Sequence, residues 1–345
     1  MATKTSLLAL GAAMLGAYGA ARVTARRQRR VSFRGKVVVI TGGSRGLGLL
    51  LARRFGAEGA KVVIAARELD ELIRAREELR LRGVDCASFQ CNVQFRADVE
   101  SLVRSATETY GGIDVWVNNA GVIQVAPLEL MQTRDYQEAM DIHFWGPLHA
   151  MMAVRPVMRG RGGGRIVNIS SIGGKVAVPH LAPYCASKFA LAGLSQASAI
   201  ELRQDNIYVT SVYPNLIRTG SPRNALFKGR NEREYTWFTL GDSLPGVSQN
   251  ADRAAERIIE ACRHGEPELI TGLPAALAAR FHALLPWLSI EAAALTNRVA
   301  LPSAGGIGAQ RARGRDSETA VTRSPLTALT RAAARANNEL GAQQA

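Results

Sequence analysis

Tyr184 and Lys188 stand four residues apart, and their side chains are the ones in this sequence best suited to proton chemistry. Residues at this spacing share one face of a helix, so the phenol and the ammonium can interact. A free tyrosine has a pKa of about 10, too high for efficient proton exchange at neutral pH, and a nearby cation typically lowers such a pKa by about 1 to 3 pH units. Ser171 follows an apolar run and could donate a hydrogen bond to the same substrate oxygen. The three side chains predict proton exchange with a carbonyl or alcohol group. Taken singly they are common residues, and the alternative is that the Tyr184–Lys188 pattern is a surface helix turn.

A glycine-rich turn comes much earlier in the chain. Residues 41–48 read TGGSRGLG, between an apolar run and a helical pattern. Glycines permit a tight turn and let backbone N–H groups approach a pyrophosphate, whose charge the start of a helix favours. Against a merely tight turn, this context favours a dinucleotide site. Its predicted members are Gly42, Ser44, Arg45, Gly46, Leu47 and Gly48.

Two arginines indicate which dinucleotide binds. An acidic residue after the second strand would bind the adenosine ribose of NAD, whereas a basic residue accommodates the extra phosphate of NADP. Arg67 stands at that point, and Arg45 lies in the glycine turn. Guanidinium groups bind phosphate by strong charge-assisted hydrogen bonds, so we expect NADP(H) to be preferred over NAD(H). The alternative is that each arginine is simply a solvated surface residue.

These residues must be positioned by alternating strands and helices. The apolar runs predict strands and the longer periodic runs predict crossover helices, an alternation typical of a parallel sheet. The fold class predicted is therefore α/β, a Rossmann-type doubly wound parallel sheet with an N-terminal apolar helix and a helical C-terminal extension. The predicted strands are residues 36–40, 61–65, 87–91, 113–117, 165–169, 208–212 and 268–271, and the predicted helices are residues 47–58, 68–82, 97–110, 134–159 and 184–203.

The excess of positive charge lies mainly outside this region. The 345 residues include 43 Lys and Arg against 29 Asp and Glu, a formal charge of +14. Residues 1–35 contribute +7 and residues 301–345 contribute +3, which leaves +4 for the body. A nucleic-acid groove would need more, so no nucleic-acid partner is expected. The 4 Cys and 5 His lack metal-ligand spacing, so we expect reduced thiols and no metal site.

The N-terminal segment, residues 6–23, is apolar and is followed by four arginines between residues 26 and 30. As a helix it would span about 27 Å, close to the thickness of the bilayer core. The arginines on its C-terminal side would place the rest of the chain in the cytoplasm. We therefore expect a membrane anchor with a cytoplasmic catalytic domain. A secretory signal and an ordinary N-terminal helix, with the protein cytoplasmic, are the alternatives.

The C-terminal region divides into an apolar and a polar part. Residues 273–302 are rich in Ala and Leu, which predicts a pair of core-packed helices; a lid or a membrane-surface contact is the alternative. Glycines between residues 305 and 308 indicate a linker before a last helix at residues 327–340. The predicted organisation is residues 1–33 as anchor and basic collar, 34–272 as the NAD(P)-binding catalytic domain, 273–302 as an apolar helical extension and 303–345 as a polar tail.

Taken together, the motifs resemble those of the short-chain dehydrogenase/reductase family over roughly residues 34–271. The matching segments are TGGSRGLG at 41–48, NNAG at 118–121, the serine of NISS at Ser171, YCASK at 184–188 and the stretch at 214–219. The resemblance implies Ser171, Tyr184 and Lys188 as the catalytic set, with Lys188 also holding the nicotinamide ribose. It further implies cofactor contacts from Asn92, Val93, Asn119, Ala120 and Thr219. The two extensions look like those of some membrane-associated bacterial members.

His143 is the main departure from that family, whose members usually carry an Asn there that holds a water in a proton relay to the lysine. Imidazole can also donate and accept hydrogen bonds, so His143 could substitute in the catalytic set, with a pH dependence nearer its own titration range. A packed, structural histidine is the alternative. Asn92 and Asn215 also stand where the family often has Asp and Gly, and Asn tolerates turn-like backbone angles.

The predicted function is reversible hydride transfer between NADP(H) and a carbonyl or secondary alcohol. The alternative is a membrane-associated cofactor-binding or scaffold protein with little catalysis. Residues 220–246 should cover the site, and their mixture of aromatic and basic side chains suits an apolar or lipid-like substrate or a mobile lid. Association into a homo-oligomer is left open.

Overall fold

Seven parallel strands form the central sheet of the protein. The structure, a computed structural model, describes residues 2–340, with side chains at residues 13 and 14 and from residue 16 onward. The strands are β1 (Val37–Thr41), β2 (Lys61–Ala66), β3 (Cys86–Gln90), β4 (Val115–Asn118), β5 (Gly164–Ile169), β6 (Ile207–Pro214) and β7 (Glu268–Thr271). Their order across the sheet is β7-β6-β5-β4-β1-β2-β3. The order reverses between β1 and β4, as in a doubly wound sheet, and confirms the predicted fold class.

Helices cover both faces of this sheet. Along β1, Val38 and Ile40 face one layer while Val39 faces the other, because successive side chains of a strand point to opposite sides. Both faces are buried, which explains why the strand sequences are apolar without alternation. One layer is α2 (Gly46–Ala57), α3 (Leu69–Leu81) and α9 (Ala251–Arg263); the other is α4 (Arg96–Tyr110), α6 (Gly146–Gly160) and α7 (Ala182–Glu201).

The predicted strands agree with the observed ones to within two residues at each end. The long helix predicted at residues 134–159 is interrupted, however. It consists of α5 (Thr133–Met140), a π-helical turn at Asp141–Trp145 and then α6. A π-helical turn adds a residue to the local repeat and so rotates the side chains that follow. Side-chain periodicity over the whole segment does not reveal such a local insertion.

The N-terminal apolar segment belongs to a long helix, α1 (Ala2–Gln28). Its C-terminal half is held to the body, since Arg22 and Arg26 both pair with Glu266. Within the part of the chain that the structure describes, no helix is both long and apolar enough to cross a membrane. The predicted anchor begins among residues whose side chains lie outside that part. The expectation of a transmembrane helix is therefore not supported.

The predicted pair of core-packed helices is wrong in its packing. Helices α10 (Leu273–Leu284) and α11 (Pro286–Ala300) form as expected, but α11 contributes no buried residue anywhere along its described length. Large apolar side chains on this pair face solvent, among them Phe281, Trp287 and Ile290. The apolar composition therefore reflects an exposed helical pair rather than a second core.

The segment predicted to cover the site is packed in place. It comprises the short strand Leu226–Phe227 and helix α8 (Asn231–Ser243). The short strand pairs with Gln124–Val125 on one side and with Ala312–Arg313 on the other. A last helix, α12 (Ala328–Ala336), follows residues that run along this segment and packs against α8. The end of the predicted polar tail, residues 341–345, lies outside the described residues.

Candidate active site

Ser171, Tyr184 and Lys188 come together at the carboxyl edge of the sheet. Ser171 follows the end of β5, and its Oγ accepts a hydrogen bond from the N–H of Gly173 at 3.0 Å, which starts a short 3₁₀ turn. Tyr184 and Lys188 lie in the first two turns of α7. The side chains of Ser171 and Tyr184 lie close together, since a Cβ at Gly173 would be 3.5 Å from the Ser171 Oγ and 3.3 Å from a ring carbon of Tyr184. The Lys188 Nζ lies 5.6 Å from the centre of the Tyr184 ring.

The phenol of Tyr184 remains protonated at neutral pH. Burial raises the pKa of Tyr184 to about 12, the nearby Ser171 hydroxyl acts to lower this pKa, and Cys185 acts to raise it. The sequence-based expectation was a lowering by Lys188. The structure gives the opposite direction, because the cost of burying a phenolate exceeds the stabilisation that its neighbours supply.

Lys188 is buried, and among residues 16–340 no carboxylate forms an ion pair with its ammonium group. Its side chain is 4% exposed, and its Nζ donates a hydrogen bond to the backbone oxygen of Ile169 at 2.8 Å. Burial lowers the pKa of Lys188 to about 7. The lysine therefore carries only part of its charge near neutral pH, which weakens its field at Tyr184.

The π-helical turn places His143 against this group. The ring of His143 is 1% exposed and meets the ring of Tyr184 edge to face, with 5.5 Å between centroids. The backbone N–H of Val122 donates to its Nε2 at 3.1 Å, so Nδ1 must carry the proton and donate to the Ser187 Oγ, 2.7 Å away. Ser187 in turn donates to the backbone oxygen of Tyr184 at 2.8 Å.

Both nitrogens of His143 are thus bound to groups of the protein. Burial, and secondarily the charge of Lys188, hold the pKa of His143 well below its usual 6.5. A neutral ring with both nitrogens engaged favours the packed, structural alternative for this residue. A proton-relay role of His143 stays a prediction.

The glycine turn is shaped by close contacts with the chain after β4. Gly42 has a φ of +62°, and a Cβ there would lie 2.8 Å from the Cα of Ala120. A Cβ at Gly48 would lie 2.1 Å from the backbone oxygen of Gly42. These two glycines are required by the packing of the turn itself, before any ligand is considered.

Asn119 and Ala120 hold this turn in place. The side chain of Asn119 donates to the backbone oxygens of Thr41 and Gly42 at 3.1 and 2.9 Å. The Thr41 hydroxyl accepts from the N–H groups of Asn119 and Ala120 and donates to Val117 O. Sequence reasoning missed Thr41. The sequence does show a hydroxyl residue directly before the first glycine. Such a side chain can join the end of β1 to the end of β4 by hydrogen bonds.

The acidic side chain of Glu71 engages the polar residues of the glycine turn. Ser44 donates to its carboxylate at 3.1 Å, and Arg45 forms an ion pair with it at 2.7 Å. Arg45, Gly46, Leu47 and Gly48 lie at the start of α2, where backbone N–H groups have no partner within the helix. The turn therefore offers N–H groups and one guanidinium to an anion, and Glu71 fixes the orientation of that guanidinium.

An anionic group of the protein itself is found at this turn. Glu339, which follows α12, lies so close that a Cβ at Gly46 would be 2.6 Å from its Oε1. Its carboxylate is 3.5 Å from the Arg45 guanidinium and accepts a hydrogen bond from Asn224. Burial raises the pKa of Glu339 to about 7, against the lowering by Arg45 and Asn224. No sequence motif indicated this contact.

A cavity of about 370 Å³ lies at the carboxyl ends of β2 and β3. Its lining residues are Arg67, Gln90, Asn92, Asp98 and Ser101. The loop bearing Asn92 is held by Asp98, whose carboxylate accepts the N–H of Asn92 at 2.9 Å. Val93, the next residue, is buried against Gly146. The exposed Arg67 therefore reaches a polar cavity shared with one residue predicted to flank the adenine.

These residues fit a dinucleotide. A carboxylate at the start of α2 shows that this end of the helix accepts an anion, as the helix dipole and free N–H groups would favour. The cavity at the ends of β2 and β3 is polar and is lined by Arg67. Thr219 is buried and lies near Gly46. The turn and the cavity both lie at the carboxyl ends of neighbouring strands, where ligands bind in doubly wound sheets.

The segment predicted to cover the site, residues 220–246 and here named the covering segment, is anchored by a buried ion pair. Lys228, 2% exposed, is bound to the carboxylate of Asp135 and donates to Leu130 O at 3.2 Å. Arg311 binds the other oxygen of Asp135 at 2.6 Å. The neighbouring aromatic rings of Phe227, Tyr235 and Phe238 pack against one another. Because these three rings are buried in the segment, they lend no support to the suggestion of an apolar or lipid-like substrate.

Comparisons with known proteins agree with this geometry. The family model for short chain dehydrogenase matches residues 36–226. An uncharacterized oxidoreductase of Bacillus subtilis is 31% identical over 261 residues, 74% of this chain and 70% of the relative. Galactitol 2-dehydrogenase of Agrobacterium fabrum is 36% identical over 183 residues, 53% of this chain and 70% of that enzyme. Among solved structures, a variant of actinorhodin polyketide ketoreductase with NADPH has a TM-score of 0.61 at 29% identity, covering 69% of this chain and 95% of that one.

Proposed function

Because the chain belongs to the short-chain dehydrogenase family and is an oxidoreductase, we propose that it transfers hydride between NADP(H) and a carbonyl or secondary alcohol. The names of its relatives point to the same groups, since one is a galactitol dehydrogenase and another a ketoreductase. The observation that carries the proposal is the grouping of Ser171, Tyr184 and Lys188 at the carboxyl edge of the sheet. The nicotinamide, when bound, supplies or accepts the hydride.

The protein's own residues would handle the substrate oxygen and its proton. Tyr184, protonated at neutral pH because burial raises its pKa to about 12, donates a proton to the oxygen of a carbonyl being reduced. The Ser171 hydroxyl orients that oxygen. Lys188, whose pKa burial lowers to about 7, can return a proton toward Tyr184 or hold a ribose hydroxyl. His143 keeps the start of α7 in register through Ser187.

Replacing Tyr184 by Phe tests this proposal. The variant keeps the ring and its packing but removes the exchangeable proton, so turnover should fall by about 10²- to 10⁴-fold while NADPH still binds. The assay is NADPH consumption across a panel of ketones, quinones and aldehydes, with binding followed by NADPH fluorescence. Tyr110→Phe is the control, because its hydroxyl bonds Asp85 at 2.7 Å near the opposite edge of the sheet. Unchanged turnover in Tyr184→Phe would refute the assignment.

We also propose that NADP(H) is preferred over NAD(H), through Arg67 and Arg45. Arg67 borders the cavity at the end of β2, and Arg45 lies in the glycine turn. Replacing Arg67 by Ala should lower kcat/KM for NADPH by about tenfold to a hundredfold, the worth of one lost charge-assisted contact, and leave the value for NADH nearly unchanged. Arg82→Ala, on the exposed end of α3, is the matched control. Equal losses with both cofactors would contradict the preference.

A further inference from the structure

The C-terminal residues 324–340, here named the tail segment, dock on the predicted cofactor site. Helix α12 packs so closely on the loop after β6 that a Cβ at Gly220 would lie 2.4 Å from the Cα of Ala334. Thr330 is buried against α8, where its hydroxyl donates to Asp242 at 3.0 Å. The tail segment therefore lies between the covering segment and the start of α2.

Beyond α12, the tail segment binds the glycine turn directly. The N–H of Gly46 is one of the N–H groups at the start of α2 that have no partner inside the helix. It donates to the backbone oxygen of Asn337 at 2.9 Å. The side chain of Asn338 donates to Ser44 O at 2.9 Å and accepts from Arg74 at 3.1 Å. Asn337 is itself held by Arg53 at 3.1 Å. The tail thus occupies the Gly46 N–H, a donor that a pyrophosphate would otherwise use, and the contacts of Asn337 and Asn338 hold it there.

Glu339 occupies the place that a phosphate would take at the start of α2. Its buried carboxylate lies at the start of α2, beside the Arg45 guanidinium at 3.5 Å. These are the two features that the sequence assigns to phosphate binding, a helix start with glycines and an arginine. A carboxylate is a smaller anion with the same preference for N–H donors and guanidinium groups.

We propose that the tail segment is a built-in competitor of the dinucleotide, so that NADP(H) binds the glycine turn only after this segment is released. The inference rests on the proposed function, because it assigns regulation to the same site. Release would free the Gly46 N–H and one side of the Arg45 guanidinium together. The tail is therefore an autoinhibitory element, and whatever loosens it raises the apparent affinity for the cofactor.

Competition follows from the contacts better than joint binding does. The Gly46 N–H is already directed at Asn337 O, and Glu339 fills the space beside Gly46. A phosphate at the same helix start would need the space that the Glu339 side chain fills, and the charge that Glu339 carries above its pKa of about 7 would repel it. A clamp that closes over bound cofactor would instead present donors or cations to it.

Replacing Ala334 by Arg tests the inference without altering the catalytic or cofactor-contacting residues. Ala334 is buried against Gly220, so an arginine there should force α12 off the body. The control is Ala332→Arg, which adds the same side chain to the same helix at an exposed position. NADPH affinity is measured by fluorescence titration of each full-length chain. Since apparent affinity scales with the fraction of molecules that can bind, we expect Ala334→Arg to bind at least about tenfold more tightly than the unaltered chain and the control.

Hydrogen exchange in the unaltered chain gives an independent readout. Saturating NADPH should speed exchange in residues 328–340 and speed tryptic cleavage at Arg331 and Arg335, because the tail is displaced. Slower exchange in that segment, together with weaker binding by Ala334→Arg, would show a clamp and overturn the inference. If Ala334→Arg does not fold, Asn338→Ala, which removes the contacts to Ser44 and Arg74, replaces it in the titration.

The two proposals fail in different ways. Equal NADPH affinity in the unaltered chain and Ala334→Arg, with normal turnover, overturns the competitor role and leaves the proposed function intact. Folded proteins that bind neither NADPH nor NADH, with or without the tail displaced, overturn the proposed function and the competitor role with it.

Discussion

Two lysines of this protein are nearly equally buried and have opposite surroundings. Lys188, beside Tyr184, is 4% exposed and bonds only a backbone oxygen in the contacts described above. Lys228, under the covering segment, is 2% exposed and is bound to the carboxylate of Asp135. One lysine is placed where its charge costs free energy, and the other where its charge is compensated.

The difference teaches that burial alone does not fix the role of a lysine, because a carboxylate beside the ammonium group changes its surroundings. Burial lowers the pKa of Lys188 to about 7. Around Lys228 burial acts on Asp135 as well, but hydrogen bonds from Lys228, Gln132 and Arg311 bring the pKa of Asp135 below its usual value. The ion pair of Lys228 and Asp135 joins the covering segment to α5. An unpaired lysine can change its charge near neutral pH and so serve the reaction.

The largest expected effect comes from replacing Lys188 by Met, which keeps most of the volume and removes the amine. Turnover should fall by about 10²- to 10⁴-fold, because Tyr184 loses its source of protons, while the melting temperature stays similar or rises. Stopped-flow or steady-state NADPH oxidation, with thermal unfolding alongside, measures both. Retained turnover would mean that the two buried lysines do not differ in the way proposed.

Lys228→Met is the complementary change and should mainly affect stability. It leaves the Asp135 carboxylate buried with one partner fewer, which we expect to cost about 3 to 5 kcal/mol of unfolding free energy. Turnover per folded molecule should stay within a few-fold of the unaltered enzyme. Urea unfolding gives the first quantity and an active-site-normalised assay the second. A Lys228→Met protein that keeps its stability and loses its turnover would contradict the proposed difference between Lys228 and Lys188.

The buried, unpaired state of Lys188 should also make the unfolding free energy depend on pH, with a smaller effect than the two substitutions above. With a pKa of about 7 in the folded chain and its ordinary higher value when unfolded, Lys188 is protonated in both states below pH 7, where its full penalty is present. Above pH 7 the folded state releases the proton first, so stability rises with pH, with a slope of up to about 1.4 kcal/mol per pH unit. The unfolding free energies of the unaltered and Lys188→Met proteins are measured by urea unfolding at pH 7, 8 and 9. Their difference isolates the contribution of Lys188 from that of the cysteine thiols, which both proteins share. A flat difference would contradict the lowered pKa.

His143→Asn is expected to have the smallest effect. The imidazole is held neutral, and its nitrogens are engaged by Val122 and Ser187, so it supplies no titrating group between pH 6 and 8. Turnover should change by less than about tenfold, and the pH profile of kcat should keep its shape. A limb near pH 6.5 that disappears in the Asn variant would instead assign His143 to the proton relay.

Much of the fold could be predicted from the sequence, because it depends on patterns within short segments. Strand apolarity, glycine spacing and the four-residue interval between Tyr184 and Lys188 are properties of short segments, and their physical causes act within those segments. For this reason β7 was predicted at residues 268–271 as observed. The glycine turn likewise begins α2 as expected.

The remainder depends on contacts between distant segments or on the balance of opposing effects. The direction of the Tyr184 pKa required knowing how far burial outweighs the lysine. The π-helical turn that aims His143 is a one-residue change in a helical repeat. The exposure of α11 shows that apolar composition does not say what a helix packs against. Docking of Glu339 at Gly46 joins residues with no sequence pattern in common.

That last contact also has a consequence for the order of events during synthesis. Asn338 and Ser44 are separated by 294 residues, so the loop that joins them closes only after the rest of the body has left the ribosome. Loop closure of that length is entropically costly and slow, whereas the glycine turn and its neighbouring strands can assemble early. A newly made chain therefore passes through an interval in which the turn is formed and the tail has not reached it. Cofactor present in the cell during that interval meets no competitor at the glycine turn. The order of cofactor binding and tail docking therefore determines whether a newly folded molecule holds cofactor or has the tail segment in its place.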